Sequence, residues 1–126
     1  MPETSTPLVL LLTADLATSS KVAGAAARQN VILDVAYDVA SLAEKAAAGR
    51  PAIVMVDLSV PRLDVVALVT SLKQNATASR MILAFGPHVH EGLLQAARDA
   101  GCDAVLSRGQ FHARVDEFME SARGSV

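Results

Sequence analysis

Five apolar segments punctuate the chain: "LVLLL" at 8–12, "VILDVA" at 31–36, "AIVMV" at 52–56, "MILAF" at 81–85 and a weaker "DAVLS" at 103–107. Each has the length of a strand and too few residues for a buried helix. Between them, apolar residues recur at helical spacing: Val65, Leu68, Val69 and Leu72 ahead of Asn75; Leu93, Leu94 and Ala97 ahead of Gly101; Phe111, Val115, Phe118, Met119 and Ala122 near the end. Such spacing gives each helix one stripe to bury. The alanine-rich stretch 17–29 predicts a further helix, opened by the capping candidates Thr18, Ser19 and Ser20 and stopped by Asn30 in a left-handed conformation. Another helix starts at Ser41, and Gly49 is expected to end it in the same way. Strands that are apolar throughout and separated by helices imply a parallel sheet covered on both faces. The expected fold is α/β, a doubly wound (βα)5 arrangement.

Composition narrows the class. The 126 residues suit one domain, expected over 1–126 with an ordered core of about 7–123. With 13 acidic and 11 basic residues and no block of like charge, the chain has no basic footprint for nucleic acid or anionic lipid. The single cysteine, Cys102, excludes an internal disulfide. No apolar run is long enough to cross a bilayer, and "MPETSTP" does not read as a signal peptide. A cytoplasmic location is expected, in which the glycosylation sequon at Asn75 has no meaning.

In such a sheet the working end lies beyond the carboxyl ends of the strands, where the strand order reverses. Asp57 stands there after the third strand, Thr13, Ala14 and Asp15 after the first, Gly86, Pro87 and His88 after the fourth, and Arg108 after the fifth.

On these residues the chain resembles the receiver domain of bacterial two-component response regulators, over essentially its whole length. "VDLSVPRLD" is similar to the phosphoacceptor strand and the loop after it, with Asp57 as acceptor, Pro61 as the loop proline and Asp64 as the acid ahead of the third helix. "AGCDAVLSRG" is similar to the family segment "AGADDYLVKP" and puts Arg108 at the family's lysine. The resemblance implies a flavodoxin-like, CheY-like topology with strand order 2-1-3-4-5.

It also implies a damaged site. The two acids that usually close the first strand fall on Thr13 and Ala14, leaving Asp15 alone. The phosphoryl-binding hydroxyl falls on Gly86, or with a one-residue slip on Phe85, which equally lacks a hydroxyl; the lysine falls on Arg108 and the aromatic switch position on Val105. Magnesium needs near-octahedral oxygen ligands, including one or two carboxylates, so its binding is expected to be weak or absent. Arg108 is expected to form a direct bidentate pair with Asp57. The reading is a degenerate pseudo-receiver that is not an enzyme, has no cofactor and works by protein–protein interaction without depending on phosphorylation. With no output segment after the fifth helix, its effect is expected to pass through a signalling partner or through a homodimer. An atypical response regulator still phosphorylated on Asp57 stays open as an alternative. A flavodoxin-type small-ligand protein, with an anion held by Thr13, Thr18, Ser19 and Ser20 at the first helix, is a minor one.

Other residues have plainer roles. Asp64 is expected to cap the third helix and Cys102 to be a buried, inert thiol. His112 is expected to be exposed in the first turn of the last helix. His88 and His90 have no evident further ligands for a metal. The smooth surface of the first helix, with Gly24 and Ala27, suggests a face for a second copy or a partner helix.

Overall fold

A computed structural model describes residues 6–74 and 81–124; Asn75 and its sequon lie outside them. The elements alternate: β1 (Leu8–Leu12), α1 (Leu16–Arg28), β2 (Ile32–Ala36), α2 (Val39–Ala48), β3 (Ile53–Asp57), α3 (Val65–Gln74), β4 (Met81–Gly86), α4 (Glu91–Ala100), β5 (Ala104–Ser107) and α5 (Arg108–Gly124). The strands form one parallel sheet in the order β2-β1-β3-β4-β5, as expected.

The two-residue period of a strand divides the sheet into two cores. Val9 and Leu11 of β1, Ile53 and Met55 of β3, and Leu83 and Phe85 of β4 face α1 and α5, where they meet Val22, Phe111, Val115 and Met119. Leu10, Leu12, Val54, Val56, Ile82 and Ala84 face the other way, onto Leu42 of α2, Leu68 and Val69 of α3 and Leu94 of α4. Phe85 and Phe111 stack with ring centroids 4.0 Å apart. The outer strands depart furthest from full burial: β5 is half-buried throughout, and β2 runs from an exposed Ile32 to a buried Ala36. Each has one neighbour instead of two.

The helix boundaries differ from expectation at their starts, for one physical reason. Aspartates outside the apolar pattern take the cap position and pull the first turn back. Asp15 caps α1 by accepting the Ala17 N–H, so Thr18 and Ser19 are buried inside the helix and cap nothing. Asp38 caps α2 by accepting the Ser41 N–H at 2.8 Å, which starts that helix at Val39. Asp64 caps α3 as expected, accepting from Ala67 at 3.0 Å. Asn30 is left-handed at φ 57, as expected. Gly49 is extended at φ −116, ψ −171, so it ends α2 without a left-handed turn. The left-handed glycine is Gly101, φ 101, at the end of α4, where an added Cβ would lie 2.8 Å from Lys73 Nζ.

Candidate functional site

Strand parity assembles the site. Thr13 continues the Val9, Leu11 row and Asp57 the Ile53, Met55 row, so both side chains emerge on the α1/α5 face, as does Phe85, which is paired with Asp57 in register. Thr13 is fully buried and Asp57 is 2% exposed. A carboxylate so enclosed needs donors to remain ionised without a large penalty. The Thr13 hydroxyl donates to Asp57 Oδ2 at 2.7 Å, and the Ser59 N–H donates to Oδ1 at 2.9 Å.

Arg108 is the first residue of α5, and its guanidinium reaches back across Phe85, with Cζ 5.8 Å from the ring centroid. It does not form the expected bidentate pair. Its Nη2 donates to Ser59 Oγ at 3.0 Å and lies 3.4 Å from Asp57 Oδ1, while Nη1 donates to Thr18 Oγ1 at 3.2 Å and stands 3.7 Å from Asp15 Oδ2. The fork is divided because Thr13 and Ser59 already occupy the two oxygens of Asp57. Asp15 in turn accepts from the Thr18 hydroxyl at 2.6 Å, and its own N–H donates to Thr13 Oγ1 at 3.1 Å. That hydroxyl contact, opposed by desolvation and aided by the Ala17 and Thr18 N–H groups and the Arg108 charge, holds the Asp15 carboxyl below its ordinary range. The contacts close a ring: Asp57, Thr13, Asp15, Thr18, Arg108 and back to Asp57. It ties the ends of β1 and β3 to the first turns of α1 and α5.

Ser59 is a member not expected from the sequence, and Thr18 was expected as a site residue only in the flavodoxin-type alternative. Thr13, expected above only as a vacated acidic position and in the minor anion-holding set, contributes its hydroxyl to the ring. The available signal was parity, which sets Thr13 beside Asp57. The same parity turns Gly86 to the opposite face: a Cβ there would meet Leu58 Cβ at 3.3 Å and Leu94 Cδ2 at 3.8 Å. A cavity of about 350 Å3 opens beside Asp57, lined by Ala14, Asp15, Ser59, Pro61 and Arg108 among others, and Gly86 takes no part in it.

The remaining candidates lie apart or differ from expectation. His88 and His90 are exposed, and among the described residues no three His, Cys, Asp or Glu side chains converge to hold a metal ion. Cys102 is half-buried, less than expected; burial, aided by Asp103 and opposed by Lys73, pushes its thiol up to about 11, which suits an inert role. His112 is half-buried instead of exposed, because it lies on the side of α5 turned toward α1, and its Nε2 has no hydrogen-bond partner among the described residues. The N–H of Ala17, a natural donor for a bound anion, is taken by Asp15. At Gly24 an added Cβ would meet only Arg28 Nη1, at 3.4 Å, so no backbone of another element packs there. No helix among the described residues is long and apolar enough to cross a membrane.

No protein-family model and no curated protein matches the chain. Solved structures do. The chemotaxis response regulator CheY4 of Vibrio cholerae superposes with a TM-score of 0.79 at 13% identity, over 94% of this chain and 99% of that one. A response-regulator signal receiver domain from Bermanella marisrubri gives 0.79 at 23% identity, over 94% and 98%. The receiver domain of a sensor histidine kinase from Pseudomonas aeruginosa, with a magnesium ion coordinated in its active-site cleft, gives 0.80 at 16% identity, over 96% and 100%. With its strand order, its two-faced core and its superposition over nearly the whole length, this chain has the receiver-domain fold of CheY-like response regulators.

Proposed function

We propose that this domain is a receiver-type signalling module that works by contact with a protein partner, with its phosphoacceptor position held in a closed hydrogen-bonded ring and not switched by phosphoryl transfer. The observation that carries this reading is the two-sided engagement of Asp57, by the Thr13 hydroxyl on Oδ2 and by Arg108 and the Ser59 N–H on Oδ1.

In-line phosphoryl transfer requires an exposed nucleophilic oxygen and a divalent ion that neutralises the transferring group. Asp57 offers neither oxygen freely. The residues present do not fit magnesium either: Ala14 brings no oxygen, the Asp15 carboxylate is engaged by Thr18 and Ala17, and the Arg108 guanidinium stands within 3.4 Å of Asp57 and 3.7 Å of Asp15. A cation there would face a guanidinium already in contact with both carboxylates. Arg108 thus supplies fixed positive charge in place of a metal, and because it begins α5, the same contact holds α5 against α1 and the β3–α3 loop. A module so held presents a constant surface.

The test is incubation with a small-molecule phosphodonor and magnesium, followed by intact-mass measurement beside the Asp57→Asn protein. No phosphoryl adduct on either protein is the expected result. An adduct on the wild type that Asp57→Asn abolishes would establish the opposing reading, an atypical response regulator phosphorylated on Asp57.

A further inference from the structure

Arg108, His112 and Asp116 stand one turn apart on α5, so their side chains share the stripe that faces α1. The two outer members have partners there: Arg108 donates to Thr18, and Asp116 accepts from Nε and Nη2 of Arg28 at 3.1 and 3.0 Å. His112, between them, differs. Its Nε2 is out of contact with solvent and meets no hydrogen-bond partner among the described residues. In the imidazolium both ring nitrogens carry protons, so protonation would leave a buried N–H without an acceptor on a ring that has just become charged.

The charges around His112 balance only while it is neutral. Lys21 of α1 and Arg108 bring two positive charges, and Asp15 ahead of α1 and Asp57 at the end of β3 bring two negative ones. The strands β1, β4 and β5, which also pack against α5, carry no ionisable side chain. Further along the stripe, Arg28 and Asp116 neutralise each other. Burial first, and then the Lys21 and Arg108 charges, favour the neutral imidazole against the pull of Asp15 and Asp57. The coupling is reciprocal: if Arg108 disfavours a charged His112, a charged His112 disfavours Arg108 in its present place by the same free energy. It would also be a second cation beside the two carboxylates that Arg108 now serves.

We propose that His112 is a proton-operated release for the ring around Asp57: its protonation drives Arg108 off Asp57 and Ser59 and parts the first turns of α1 and α5. The inference rests on the proposed function, in which the surface is constant while the ring stays closed, and it names the proton as what opens the ring.

The test is an NMR titration of the whole chain labelled with 15N and 13C, between about pH 7.5 and 5.5, a window above the ordinary carboxylate values of about 4. The His112 imidazole should titrate with a midpoint below about 6.5. The Ser59 amide, the Asp57 carboxyl carbon and the Arg108 Nε signal should move with the same midpoint. Amides of Val54 and Leu83, both fully buried, should stay in place, which separates release from unfolding. In His112→Gln the site signals should lose this inflection, although the exposed His88 and His90 still titrate. Lys21→Gln, which removes a facing charge, should raise the His112 and site midpoints together. A phosphoryl adduct on Asp57 at neutral pH would contradict the proposed function and not this coupling, so the two fail separately. Site signals that ignore the His112 titration, that keep their inflection in His112→Gln, or that part from the His112 midpoint in Lys21→Gln would overturn the proposal.

Discussion

Thr13 donates its hydroxyl proton to Oδ2 of Asp57 across 44 residues of sequence, at 2.7 Å and out of contact with solvent. A hydrogen bond to a buried carboxylate contributes about 1.5–3 kcal/mol, and removing the donor leaves the acceptor unsatisfied. Thr13→Val, which keeps the shape and loses the proton, should destabilise the fold by about 1–3 kcal/mol in urea denaturation. Thr13→Ser should recover most of that loss. A valine variant as stable as the wild type would show that this bond contributes nothing.

Arg108 and Asp57 should prove coupled. The Arg108 side chain is 29% exposed and Asp57 is 2% exposed, so the pair stands between a surface bridge worth about 0–1 kcal/mol and a buried one whose breakage costs about 3–5 kcal/mol. Arg108→Ala is expected to cost about 1–3 kcal/mol, and less in an Asp57→Asn background. A double-mutant cycle measures the difference, and strict additivity would mean no interaction.

The fold was legible because parallel strands buried on both faces leave unbroken apolar runs, and "LVLLL" marks β1 without error. Helix starts were less legible. Asp64 was readable as a cap, but Asp15 and Asp38 sit outside the apolar pattern and compete with the hydroxyl residues that follow them, so which side chain turns onto the first turn was not legible. In the site, Asp57 and Arg108 were readable from their places at strand ends. Their geometry was not, since the division of the guanidinium between Ser59 and Thr18 depends on three segments distant in sequence. Thr13 was within reach of parity alone.

Stability should fall as the pH drops below neutral, through His112. Burial, together with the Lys21 and Arg108 charges and against those of Asp15 and Asp57, holds its imidazole below the ordinary value of about 6.5. The unfolded chain therefore binds the proton first: the stabilisation is complete above about pH 6.5 and is lost as pH falls toward the lowered folded value. His112→Leu should flatten this decline, measured as urea midpoints between about pH 7 and 5.5. An unchanged slope would remove His112 as its cause.

Arg62→Gly should raise stability. A left-handed L residue carries a penalty of about 1–2 kcal/mol, of which glycine's extra unfolded-state entropy returns about 0.5–1. The expected gain is up to about 1 kcal/mol by chemical denaturation. A clear loss of stability would show that the Arg62 side chain holds the loop.

The central claim is that the ring around Asp57 is closed to a metal and a phosphoryl group. Its most direct test is an amide NMR titration with magnesium, alone and then with beryllofluoride as a phosphoryl mimic. The account predicts no saturable shift at Thr13, Asp57, Ser59 or Arg108 with either. Saturable shifts centred on Asp57 would contradict it.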